Sequence, residues 1–511
     1  MSRQNNIRPV RVANCSGYHG DPAYEMYRQA TKGDVDFLTG DYLAEVNLAN
    51  NAKAWREGDH PGYEETAWEG IRQTIDVIAE KGIRVVTNGG ALDPKALALK
   101  VQALVLEKGY KLTVAYVSGD DLYPDLGPHM PTAKEELRHL DSGNPSIKPS
   151  ELTYAFLDVQ EKKIPMVSAH AYLGARGIVD GLRRGADIVL CGRVADASPV
   201  IAAAWFWHDW SEMDYDRLAG FLIAGHLIEC SAYVTGGNFA GFDRYHLDNL
   251  VAPGFPIAEI GDDGSCVITK HPNTQGMVNA DTVQCQFLYE LQGDIYLNSD
   301  VSAFIGDLCV EQVGQDRVQI SGILASPPPP TTKLAVFYEA GFEAEVLLNA
   351  TGYATSRKWD LVEKQVRHFV PPSVMDKVRT VEFQRYDPRS PINREVQEEP
   401  TRRIRLGDIA LARSGDTGSN LNLGIFVPDN SHWEWLQSYM TIERLRSMLG
   451  ADWRVEFFIE RVEFPRIQAV HFVVYGIPGR GVSSSSRLDG FGKGFADYIR
   501  DIVVDFPVGL L

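Results

Sequence analysis

Gly82-Ile83-Arg84-Val85-Val86-Thr87-Asn88-Gly89-Gly90-Ala91-Leu92-Asp93-Pro94 reads as the middle of one βα repeat. Ile83 to Thr87 has the apolar, β-branched texture of a buried strand. Upstream, Glu64 to Lys81 places Trp68, Ile71, Ile75 and Ile78 at helical spacing, and Gly82 stands where a helix C-cap belongs. Downstream, Asp93 before Pro94 is an N-cap with proline in the first helical position, opening a helix over Lys95 to Lys108 that ends at Gly109. The same alternation continues from residue 7 to about 210, with strands expected at Val10 to Asn14, Asp36 to Thr39, Lys111 to Val117, Ile164 to Ala169 and Asp187 to Cys191. It predicts an α/β fold with a mainly parallel sheet, either open or closed into a barrel.

After about residue 250 the pattern changes. Short period-two runs at Thr282 to Leu291, Val318 to Leu324, Lys333 to Tyr338 and Glu343 to Leu348 predict an antiparallel β section, interrupted by a stiff spacer at Pro327 to Pro330. The charged stretch around Arg394 to Arg405 reads as a linker. Beyond it, strands at Ile404 to Arg413, Asn420 to Val427, Trp453 to Phe464 and Ile467 to Tyr475 predict a small α+β unit. Its helices are expected at Ser431 to Leu449 and Phe491 to Val503, and Ser483 to Ser486 reads as a surface turn. The domain layout is therefore residues 1–392, including the antiparallel section at about 250–392, a linker at 393–405 and a small domain at 406–511.

With 50 Lys and Arg against 68 Asp and Glu in 511 residues, the net charge is −18, which argues against nucleic acid as a partner. No apolar run is long enough for a membrane span, and the N-terminal residues lack a secretory signal, so a cytoplasmic protein with no membrane partner is expected. The six cysteines form no C-x-x-C pair, as expected of reduced core thiols. Aromatic Trp205 to Trp210 exceeds what one helix usually buries and suggests a homo-oligomer. The chain contains no P-loop, G-x-G-x-x-G, G-x-S-x-G or H-E-x-x-H pattern.

Candidate chemistry falls in polar turns after the strands. Asn88-Gly89-Gly90 is either a nest of backbone amides for an oxyanion or a tight turn needing positive φ. His170, at a strand end, is a candidate base or acid, with a structural hydrogen-bonding role as the alternative. Arg193 suits a carboxylate or phosphate, while Asp196 before Ser198-Pro199 suits a helix N-cap. Asp41 and Glu45 share one face if the chain turns helical after Tyr42. His226 and Glu229 have i, i+3 spacing but lack a third metal ligand, so neither a metal nor another cofactor is expected. Glu229 with Asn238 is the better polar site. Ala412 to Asn422 reads as a polar loop presenting Arg413, Ser414, Asp416 and Asn420 to a ligand or another domain.

Several strings resemble the family of the acyclic terpene utilisation protein. They are Asn14-Cys15-Ser16-Gly17 with Gly20-Asp21, Asp41 to Glu45, Thr87 to Gly90, Ala171 to Gly174, Gly192 to Ser198, His226 to Cys230, Val234 to Phe239, and Ala412 to Asn422. Thr417 departs from the lysine of the family's Ala-Arg-Ser-Gly-Asp-Lys-Gly pattern. The resemblance implies a long N-terminal domain with a ferredoxin-like C-terminal domain, and a place in degrading branched isoprenoid acids through CoA thioesters. The expected activity is a cofactor-independent lyase or hydro-lyase on a small molecule: a branched oxygenated acid, its acyl-CoA or a related metabolite. A thioester or lactone hydrolase and a non-catalytic binding or assembly subunit are the alternatives. In this scheme His170 with Asp41 or Glu229 supplies the base, Asn88 to Gly90 the oxyanion site, and Arg193 or Arg413 the anionic anchor.

Overall fold

The computed structural model describes residues 8–129, 146–147, 166–338, isolated positions between 354 and 364, 400–418, 420–478 and 489–511. Strands β1 (Val10–Asn14), β2 (Phe37–Gly40), β3 (Arg84–Thr87), β4 (Val114–Val117), β5 (Met166–Ala171) and β6 (Ile188–Cys191) alternate with helices as the sequence suggests. β7 (Pro256–Ile260), β8 (Cys266–Lys270), β9 (Ile295–Leu297), β10 (Ser302–Phe304), β11 (Cys309–Gly314), β12 (Arg317–Ser321), β13 (Leu324–Ser326) and β14 (Leu334–Tyr338) follow.

The class is α/β, and the main sheet is open, with nine strands in the order β11-β12-β8-β7-β1-β2-β3-β6-β4. The β1-β2-β3-β6-β4 half is parallel. The other half is antiparallel and joins through β7 on β1, where Val10 pairs with Ile260. The antiparallel section thus extends the same sheet. β5 leaves the parallel repeat and pairs with β14 instead, setting Ala335 opposite His170.

Period-two alternation gives the parallel strands two apolar faces. Leu38, Val85, Ile188 and Leu190 pack with Ile71, Ile75, Ile78, Leu97 and Val101 of helices Glu65–Lys81 and Pro94–Glu107. Phe37, Val86, Val189 and Cys191 face a second core built on helices Arg176–Arg183, Ser198–His208 and Tyr215–Ile228. Ligand sites in such sheets form beyond the strands' carboxyl ends, where Asp41, Asn88 and Arg193 follow β2, β3 and β6.

The C-terminal elements include β15 (Thr401–Arg405), β16 (Leu411–Thr417), β17 (Asn420–Phe426), β18 (Phe458–Phe464), β19 (Ala469–Tyr475) and β20 (Val503–Pro507). β16-β17-β19-β18 form an antiparallel sheet and β15-β20 a separate pair. Leu411, Phe426, Phe464, Ile467 and Ala469 belong to the same core as the second face of the main sheet.

Several expectations change. Thr282 to Leu291 is not a strand: Ala280–Phe287 is helical, because Asn279 Oδ1 accepts from Thr282 N at 2.9 Å and Thr282 Oγ1 accepts from Asn279 N at 3.1 Å, a capping box. The single helix expected over Ser431 to Leu449 is two, Trp433–Tyr439 and Ile442–Leu449, the second capped by Thr441. Phe491 to Val503 is helical only over Phe495–Asp501. The end of the expected linker is β15, held by pairing along its length with β20. Trp205, Phe206 and Trp210 are buried in the chain's own core, and Trp210 stacks on Phe221 at 4.4 Å, which removes the observation behind self-association. The expected strand Glu343 to Leu348, linker positions 393–399 and the Ser483 to Ser486 turn lie outside the described residues. All six cysteines are free, and no described helix is long and apolar enough to cross a membrane.

Candidate functional site

Beyond β2 and β3, Asn88 braces the chain that carries Asp41. Its Oδ1 accepts from Tyr42 N at 2.7 Å and its Nδ2 donates to Asp41 Oδ1 at 2.5 Å; Leu43 N donates to the same oxygen at 3.1 Å. Asp41 is pushed up to about 8, first by burial and then by the charge of Asp196. The glycines behind Asn88 serve packing. A Cβ on Gly90 would lie 2.6 Å from both Cys191 O and Pro94 Cα, and one on Gly89 2.3 Å from Ala67 Cβ. Neither has positive φ; Ala91 does, at 47°. Gly89 N donates to Thr87 Oγ1 at 3.1 Å, so that amide of the expected oxyanion nest is already committed.

After β6, Arg193 is 1 % exposed and spends its guanidinium inside the protein. Nε donates to Val194 O at 2.8 Å, Nη1 to Leu43 O at 2.7 Å and Nη2 to Asp196 Oδ1. It is therefore a fixed counter-charge, without the free fork expected of an anionic anchor. Asp196 is not the N-cap of the following helix; that position is Ala197 and makes no side-chain cap. Asp120 Oδ2 receives both Arg193 N and the His170 Nδ1 hydrogen bond, each at 2.9 Å. Gly192 permits this, since a Cβ there would lie 2.5 Å from Asp120 Oδ1. His170 is 1 % exposed, held behind the Arg193 backbone.

Glu45 begins the helix Glu45–Glu57, so Asp41 itself stays in the turn before it. Tyr172 OH donates to Glu45 Oε1, and Lys333 Nζ reaches that oxygen at 3.3 Å. Burial works to raise the Glu45 carboxyl, but the Lys333 and Arg193 charges outweigh it and hold it down at about 2. Asp41, Asp196 and Glu229 bring carboxylate oxygens within 4.8 Å of one another, and Glu229, Cys230 and Glu290 form a second group of that kind. Burial, then the Asp196 and Asp41 charges, push Glu229 well above the carboxylate range; burial, then Asp416, do the same for Glu290. His226 Nε2 donates to Phe287 O at 3.1 Å, leaving Nδ1 facing Glu229 Oε1 at 3.4 Å.

The C-terminal sheet closes this region. Ala412 to Asn422 is not a loop: it is the β16-β17 hairpin, paired from Leu411 with Phe426 to Thr417 with Asn420. Arg413 is 3 % exposed, with Nη1 donating to Asn238 O at 3.1 Å and its guanidinium carbon 4.5 and 4.6 Å from the rings of Tyr233 and Tyr289. Its Nε and Nη2 have no hydrogen-bond partner. Asn238 contributes that carbonyl from a left-handed conformation, φ 53°, while its side chain is exposed. Ser414 is structural: Oγ donates to Gly492 O at 2.6 Å and accepts from Ala496 N at 2.8 Å. Asn420 is buried at the end of the hairpin. Asp416 is pushed up to about 7 by burial and by the Glu45 charge. Lys493 Nζ donates to Tyr289 OH and is pulled down to about 8 by burial.

A family model of the acyclic terpene utilisation family protein AtuA matches residues 10–415, and one of the AtuA ferredoxin-like domain matches residues 404–505. The chain belongs to the AtuA family. Membership implies a role in acyclic terpene utilisation. No curated protein and no solved structure matches the chain. The motifs that marked the AtuA resemblance converge on this region: Asp41 to Glu45, Asn88, Arg193 to Asp196, Glu229 and the Arg413 hairpin. Where the AtuA hairpin pattern has lysine, this chain has Thr417, and Lys493 brings a cation beside the same strand. Glu290, Tyr289, Lys333 and Lys493 were not singled out from sequence, because none stands in a spaced pair or a recognisable motif; Asp120 stood only in the Ser118 to Asp121 turn after an expected strand, with no role of its own.

Proposed function

We propose that the protein is a lyase or hydro-lyase acting on a branched, oxygenated carboxylic acid or its CoA thioester. The observation that carries this reading is the buried Arg413 guanidinium, with Nε and Nη2 unpartnered, sharing the Tyr289 ring with the Lys493 amine at 4.6 and 4.0 Å, on the same strand as the Asp416 carboxyl. Loss of water from a 3-hydroxyacyl group breaks a C–H and a C–O bond. A base takes the α-proton, an acid protonates the departing hydroxyl, and a cation holds the carboxylate or thioester oxygen. Lys493, near 8, suits the base; Asp416, near 7, suits the acid; and Arg413 offers the free donors for the anchor. His170, the base expected from sequence, is assigned instead to positioning Arg193 through Asp120.

The test is turnover of a panel of saturated, unsaturated and 3-hydroxylated branched acyl-CoAs and free acids by the purified full-length protein, followed by mass change. Gain or loss of one water, or cleavage to two acyl products, supports the reading. Release of free CoA alone would replace it with a hydrolase, and no turnover of any member would reject it.

A further inference from the structure

The Asp41, Asp196 and Glu229 cluster is not explained by elimination chemistry alone. Their carboxylate oxygens lie within 4.8 Å of one another. The hydrogen bonds to Asp41, from Asn88 and Leu43, both fall on Oδ1, and Asp196 is gripped through Oδ1 by Arg193. Glu229 is 5 % exposed, and its Oε2 is buried with no hydrogen-bond partner. A buried acid grouped with two others, one of its own oxygens having no donor, can be ionised there only with a positively charged occupant.

Arg193 is not that occupant, because its Nε and Nη1 are spent on Val194 and Leu43 carbonyls and its Nη2 on Asp196. With all three acids ionised, one guanidinium leaves two formal negative charges, the complement of a divalent ion. Each ligand rides on a separate element. Asp41 follows β2 and is clamped by the Asn88 turn, Asp196 precedes the helix Ser198–His208, and Glu229 caps the helix Tyr215–Ile228. That arrangement fixes three oxygens without bringing their backbones together.

We propose that Asp41, Asp196 and Glu229 bind a hard divalent cation of the Mg²⁺ or Mn²⁺ class. An all-carboxylate set suits such ions, which keep several positions for water or for ligand oxygens. This reverses the expectation, drawn from the isolated His226 and Glu229 pair, that the protein holds no metal. In the structure His226 Nε2 is already committed to Phe287 O, and the partners of Glu229 come from the distant residues 41 and 196. Cys230 and Glu290 form a softer grouping with Glu229, and Zn²⁺ is its natural competitor.

The experiment reads binding alone, so it stands or falls apart from the proposed activity. Full-length protein is stripped with chelator and titrated with Mn²⁺, following heat and the electron-paramagnetic signal of free ion. The expected result is one Mn²⁺ per chain, displaced by Mg²⁺, with proton release on binding. Affinity should fall by about tenfold or more in Glu229→Gln, Asp196→Asn and Asp41→Asn. Circular dichroism identifies the variants that retain the fold. Should none do so, the wild-type stoichiometry and displacement by Mg²⁺ decide. No saturable Mn²⁺ binding by wild type up to about 1 mM would overturn the proposal. So would unchanged affinity in the folded variants, or a preference for Zn²⁺ that disappears in Cys230→Ser.

Discussion

An ammonium with little solvent around it holds its proton less tightly than usual, and burial pulls Lys493 down to about 8 for that reason. Asp416, half-buried, is pushed the other way to about 7 by desolvation and by the Glu45 charge. If Lys493 acts as base and Asp416 as acid, the active form has a neutral amine and a protonated carboxyl. The rate should therefore rise with pH below about 7, as Lys493 gives up its proton, and fall above about 8, where Asp416 has lost its own, with a maximum between. A pH profile of kcat checks this. Lys493→Gln should lower kcat by about a hundredfold or more and remove the rising limb, while Asp416→Asn should remove the falling one. Arg413→Ala should reduce turnover by about tenfold or more, equivalent to about 1.4 kcal/mol, with thermal unfolding showing whether the loss is structural. At this scale the sequence was informative about which residue types matter and poor about their partners. Arg193 and His170 stood out as chemically active types, yet tertiary contacts from Leu43 and Asp120 decide what their polar atoms do. Lys493 was silent, and Asp120 was only one polar residue of a strand-end turn, because the residues that give them meaning are far away in the chain.

The strand-turn-helix around Asn88 was legible because each part carries a local signal: β-branched residues, then glycines, then Asp93 capping Ala96 N before Pro94. The reason for the glycines was not, since it lies in Cys191 and Ala67 of other elements. The β16-β17 hairpin misled for a related reason. Its polar residues read as a loop facing a ligand or another domain, but Asn422 Nδ2 donates to Leu288 O at 2.8 Å, and Gly415 and Gly424 lie against Tyr289 and Leu288. A Cβ on Gly424 would stand 2.4 Å from Leu288 Cβ. Gly424→Ala should then cost roughly 1–3 kcal/mol by overpacking, measured as a drop in denaturant midpoint at unchanged m-value. An unchanged midpoint would mean that the hairpin sits further from the helix Ala280–Phe287 than described.

Across the whole molecule, the parallel half of the sheet could be anticipated because strand and helix periods repeat there. Of the antiparallel half only β12 was anticipated as a strand, at Val318 to Leu324; β7, β8 and β11 were not, and their place in the same sheet rests on the β1 to β7 pairing of residues remote in sequence. The same remoteness hid how closely the C-terminal sheet is joined to the rest. Although Leu423, Ile425, Val470 and Phe472 form a core of their own, Phe426, Phe464 and Ala469 belong to the main core, with Phe464 edge-on to Phe287 at 5.5 Å. A unit that leaves such rings exposed when it separates should not open alone. Native-state hydrogen exchange should therefore give amides of β17 and β19 the same opening free energy as those of β1 and β2. Phe464→Ala, which removes a ring that is 1 % exposed, should cost about 3–5 kcal/mol. It should lower protection in both sheets together, because the ring's partner Phe287 lies in the larger unit. Loss of protection confined to β16 through β19 would show instead that the C-terminal sheet is an independent module resting on its neighbour.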